Sequence, residues 1–179
     1  MQAHLAAMLP AFQRGVVDSD HYATASTSQT CHTQLLREAF LEPVRKGKIV
    51  ERILERTAGN LGDITPRVMD RFYAAIPEAK ERFQFHQPVK REKLEGEMVE
   101  QALYCLMRWH TSRSEIEIIL ATTVPHHLVA LDIPFEQFSG MVDAVCDVVA
   151  GTIPAGDEAE QRVWNDLHRE IAAFMFESV

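Results

Sequence analysis

Apolar side chains recur at three- and four-residue spacing along most of the chain from Leu35 to Met175. No stretch alternates apolar and polar residues over the roughly four to eight positions that a half-buried strand needs. That periodicity restricts the chain to helices packed on helices. Leu35, Leu36, Phe40 and Leu41 fit one face, with a break expected at Pro43, and Ile49, Ile53 and Leu54 open another. Thr65 precedes Pro66 as a cap before a first-position proline, and Val68, Met69, Phe72, Tyr73 and Ile76 continue that face up to Pro77. Leu94, Met98, Ala102, Leu103, Leu106 and Trp109 define a long helix. A shorter one begins at Ile116, is interrupted at Pro125 and runs on through His126 and His127. Pro134 starts a helix through Phe138, Val142, Val145 and Val149 that ends at Gly151 and Pro154; Asp157 caps the last, through Trp164, Leu167, Ile171 and Met175. The pattern predicts an all-α protein of about six to eight helices with no internal repeat.

At 179 residues and 46% hydrophobic, the chain is long enough to bury a core without a disulfide or a metal. Its 18 basic against 26 acidic residues give a net charge of −8, a surface that repels phosphate backbones and anionic lipid. Neither nucleic acid nor a membrane is an expected partner. No run reaches the ~18–20 apolar residues of a membrane span, and MQAHLAAMLPAF lacks the basic start of a signal peptide, so a cytoplasmic location is expected. Cys31, Cys105 and Cys146 are an odd number without CxxC spacing, and the last two fall in apolar helical patterns, where buried thiols are expected. Residues 1–48 read as an extension, with the polar, Ser/Thr-rich VDSDHYATASTSQTCHT as a linker followed by an extra helix. Residues 49–179 form the main domain.

Eight histidines are the candidates for chemistry: 4, 21, 32, 86, 110, 126, 127 and 168. HExxH, the ExxH of di-iron bundles, GxSxG and Gly-rich phosphate loops are all absent from the sequence. The pair His126-His127, on a short segment between two apolar helices, is what remains. On its own, such a histidine is more often a satisfied core residue than a ligand.

Four segments in order, covering roughly Ile49 to Met175, resemble the globin family. DRFYAAIPEAKERF looks like the B and C helices, closed by Phe83 where globins place the phenylalanine that packs on haem. GEMVEQALYCL looks like the E helix, with Gly96 at a close crossing and Val99 one turn beyond the distal position. HHLVALDIPFEQF is similar to the end of the F helix, the FG corner and the start of G. The Ile133-Pro134 pair, with the six-residue step back from Ile133, selects His127 as the proximal ligand, with His126 as the alternative. AEQRVWNDLHREIAAFM resembles the H helix of bacterial single-domain globins and flavohaemoglobins.

The resemblance implies a globin fold with an N-terminal extension, haem b (iron protoporphyrin IX) as cofactor, His127 on the metal and a diatomic gas (oxygen, nitric oxide or carbon monoxide) as ligand. Haem needs a dry apolar slot and one imidazole on iron. Phe83, Met69, Phe72, Val99, Leu120, Ile133, Phe138 and Met141 are the implied walls. The family's spacing puts Glu95 at the distal position, where relatives carry His or Gln, and Met69 at the B-helix station, fourteen residues before Phe83, where relatives carry Tyr. An ionised carboxylate cannot donate to bound oxygen. Glu95 is therefore protonated, swung outward, or replaced over the iron by Met98 or Leu94 in a shifted register. His86 is a further candidate donor or sixth ligand. Phe138 aligns with the Tyr that polarises the proximal histidine in flavohaemoglobins, and no flavin or nicotinamide domain follows. A self-contained nitric-oxide dioxygenase is thus not expected, although an external reductase could supply electrons. Two other classes stay open: a haem-free globin-fold module acting on a signalling partner through residues 1–48, and a haem enzyme acting on peroxide or a nitrogen oxide with Glu95 as acid/base. Monomer and homodimer are equally compatible with the sequence.

Overall fold

A computed structural model describes residues 20–86 and 90–179, with side chains at Glu38, from Leu41 to Phe85, and from Lys90 onward. Among the described residues the protein is all-α, seven α-helices and one π-helical turn without a strand. Helix α1 spans Asp20–Leu61, through both the expected linker and the expected break at Pro43. No glycine or proline stands between Asp20 and Glu42, so nothing local stops a helix there. Pro43 forfeits one backbone hydrogen bond, and the helix continues because Val50 and Ile53 beyond it are fully buried. Gly62 ends α1 in the left-handed region (φ 65°), its N–H donating to the Ala58 carbonyl at 2.9 Å. The chain divides by its contacts into Met1–Ala39 and Phe40–Val179. The packed core belongs to the second unit.

Helix α2 (Thr65–Ala75) has Pro66 in its first turn. Thr65 is its first residue rather than its cap; Ile64 holds the cap position, and Asp63 Oδ1 accepts the Thr65 N–H at 2.9 Å. Helices α3 (Pro77–His86), α4 (Arg91–Arg108) and α5 (Arg113–Pro125) follow. The backbone of α5 widens into a π-helical turn over His126–Ala130. Pro134, locked near φ −56°, leads into α6 (Phe135–Ala150). Helix α7 (Glu158–Glu177) starts as the sequence predicts, with Asp157 accepting the Glu160 N–H at 3.0 Å.

Helix α6 is the spine: α2, α4 and α7 pack on it, and α5 packs on α7. Phe72, Leu106, Trp109, Trp164, Leu167 and Ile171 are essentially inaccessible to water, and each such side chain stabilises the fold by roughly 1.5–3 kcal/mol through burial. The indoles keep their polar ends satisfied: Trp109 Nε1 donates to Glu170 at 2.9 Å and Trp164 Nε1 to the Cys146 carbonyl at 3.0 Å. Glu160 is buried at the start of α7, where it accepts from Arg52 and Arg56 of α1. Cys105 and Cys146 are free and buried, and burial pushes both thiols up in pKa, which keeps them protonated and unreactive. No described helix is long and apolar enough to cross a membrane.

Candidate ligand cavity around His127

His127 lies in the widened turn where α5 ends, and its neighbour His126 is exposed. The two are thus separated: only His127 lines a cavity. Its Nδ1 is 2.8 Å from the Thr123 carbonyl, one turn back. A carbonyl only accepts, so Nδ1 carries the proton, and in the neutral imidazole Nε2 then carries the lone pair. Nε2 makes no hydrogen bond among the described residues. The Phe138 ring packs edge-on against the imidazole with centroids 4.9 Å apart. One face is thereby fixed by α6 and one nitrogen by α5.

The cavity has two lobes that share Met98, His127 and Phe138 as wall residues. The outer lobe, about 280 Å³, is otherwise lined by Phe72, Arg82, Phe83, Leu94, Leu131, Ile133 and Gln137. The inner lobe, about 100 Å³, extends between α4, α5, α6 and α7 past Ala102, Cys105, Leu120, Met141 and Ile171. Its walls are overwhelmingly apolar, with a few polar side chains, as small-molecule sites are built. Phe83 packs edge-on with Phe72 (6.1 Å) and Tyr73 (6.0 Å), which makes a rigid aromatic wall.

Of the residues singled out in the sequence, His127, Phe83, Met98, Ile133 and Phe138 therefore converge on one space. Met69, Glu95 and Val99 are buried but are not among its wall residues. Met69 packs in the core. Val99 lines a separate, wider groove of about 1000 Å³ between the end of α1 and α4, which has no histidine or cysteine on its walls. Glu95 Oε1 accepts the Tyr73 hydroxyl at 2.6 Å and lies 3.0 Å from Arg91 Nε, so its carboxylate is held by two partners of its own. Helix α4 thus presents Leu94 and Met98 to the outer lobe, and Met98, Gln101, Ala102 and Cys105 to the inner one. The His86 side chain lies outside the described residues.

Two features had no signal in the sequence reading. Tyr73 is bonded to Glu95 from twenty-two positions away, and burial, with Glu95 adding to it, pushes its hydroxyl above the usual phenol range. Arg82, just before Phe83, is the one permanently charged side chain among the wall residues of either lobe. Nothing in local spacing marks either.

Among the described residues, no group of three or more His, Cys, Asp or Glu side chains is placed to hold a metal ion. No protein-family model matches the chain, and no curated protein or solved structure matches it either.

Proposed function

We propose that the cavity is a haem pocket and that the protein, a globin in fold, binds a diatomic gas at iron held by His127. The observation that carries this reading is the state of His127. Ligating histidines almost always donate their second ring N–H to a carbonyl, carboxylate or water, and here the Thr123 carbonyl takes Nδ1–H while Nε2 keeps its lone pair beside an apolar cavity. A lone protein ligand is what a porphyrin requires, because the macrocycle brings its own four nitrogens. When bound, haem would supply an iron centre able to take up a diatomic gas, with His127 as the residue that would hold it.

The chain's own residues do the rest. Thr123 and Phe138 hold the imidazole in one tautomer and one orientation. Phe83, Ile133 and Met98 exclude water from the slot. Leu94 and Met98 give the α4 wall of the outer lobe no hydrogen-bond donor, while Gln101, the α4 amide that lines the inner lobe, donates to Cys105 Sγ. Glu95, engaged with Tyr73 and Arg91, serves the architecture of the wall rather than acid/base chemistry.

The experiment is reconstitution of the purified protein with haemin, followed by absorption spectra of oxidised, reduced and carbon monoxide-treated samples. A Soret band that shifts with carbon monoxide supports the reading; its absence after haemin addition removes it.

A further inference from the structure

Resting on that reading, we infer that Arg82 anchors a haem propionate at the mouth of the outer lobe, so that the pocket selects a porphyrin with a free carboxylate. The argument is one of charge. The two lobes are walled by apolar side chains and a few neutral polar ones, and Arg82 on α3 is the only fixed charge among them. No Asp or Glu among the described residues forms an ion pair with Arg82.

Its one partner among the described residues is a backbone carbonyl. Arg82 Nη1 donates to the Asp132 carbonyl at 2.6 Å. Asp132 sits in the left-handed region at φ 51°, in the link between the π-helical turn that carries His127 and α6. The guanidinium thus bridges α3 to the link beside His127. One bond uses one of its five donors. The remaining N–H groups have no partner among the described residues and can make the bidentate contact that arginine makes best with a carboxylate. A wholly apolar ligand would leave that charge without use. An amphiphilic one, with a flat apolar body and a carboxylate at one edge, satisfies the wall and the arginine together.

The test compares haemin with haemin dimethyl ester, in which both propionates are blocked, on the full-length protein and on Arg82→Leu and Arg82→Lys. The readouts are Soret titration and the rate of haem loss to an acceptor protein. Loss of a charge-assisted bond at a half-buried mouth predicts haemin leaving Arg82→Leu about tenfold faster than wild type, with Arg82→Lys between them. Wild type should hold the ester as weakly as Arg82→Leu holds haemin, and Arg82→Leu should no longer distinguish the two. The ester arm uses unaltered protein and so does not depend on how the variants fold. Equal retention of haemin and ester by wild type, or unchanged haemin loss from Arg82→Leu, overturns the anchor while leaving the haem pocket standing. Failure of wild type to take up either porphyrin overturns both.

Discussion

The face that α4 turns toward His127 can be tested by moving a hydrogen-bond donor around the helix. Successive residues are about 100° apart, so Leu94 and Met98 share a face while Glu95 lies roughly 100° round from Leu94. Leu94→Gln places an amide donor on the cavity wall. Oxygen held at ferrous haem draws negative charge, and a hydrogen bond to a charged group contributes roughly 1.5–3 kcal/mol. Oxygen release should therefore slow by about ten- to a hundredfold, read by stopped-flow displacement with carbon monoxide. Glu95→Gln should leave that rate within about twofold, because its carboxylate is engaged with Tyr73 and Arg91 away from the cavity wall. The effect of Glu95 belongs to stability instead: Glu95→Leu strands the half-buried Tyr73 hydroxyl and should cost about 1–3 kcal/mol in urea unfolding. A Leu94→Gln variant with unchanged oxygen release, beside a Glu95→Gln variant that alters it, would refute this assignment of faces.

Three other outcomes follow from the same structure. His126→Ala should retain haem like wild type, since that ring is exposed; haem loss measured by Soret decay checks it. Trp109→Ala, which removes a fully buried indole packed under Arg113 at 3.6 Å and bonded to Glu170, should cost about 3–5 kcal/mol by denaturant unfolding. The third concerns His168, whose Nε2 lies 2.6 Å from Asp143 and whose pKa that hydrogen bond raises. A raised folded-state pKa gives stability that is fully present below the unfolded value of about 6.5 and fades as pH rises through the folded one. His110 has its pKa lowered by burial and acts with the opposite sign. Comparing wild type with His168→Gln isolates the first effect: the gap in unfolding midpoint should be wider near about pH 6 than near about pH 8.

Helix faces and starts were legible in the sequence because single residues encode them. Pro134 and Asp157 begin α6 and α7 where expected, and Trp109, Leu106 and Ile171 are core as their spacing requires. The all-α class follows from that periodicity alone. The register of α4 was not legible in the same way, because the helix is apolar on two sides. Leu94, Met98 and Cys105 line the cavity, while Val99 and Leu103 line the groove toward α1. Periodicity identifies such a helix without saying which stripe meets which neighbour. The continuation of α1 through Pro43 was missed for a related reason: a proline costs a helix locally, and burial of Val50 and Ile53 further along is a tertiary effect. Tyr73 with Glu95, and Arg82 with the Asp132 carbonyl, are contacts across 22 and 50 positions, for which a single sequence holds no local sign.

The most direct test of the account is the Soret spectrum of the haemin-treated protein beside that of His127→Ala. The account predicts a strong band in wild type that shifts with carbon monoxide, and loss of haem retention in His127→Ala with helical content preserved by circular dichroism. No band in wild type, or equal haem retention in His127→Ala, would contradict the assignment of His127 to the iron.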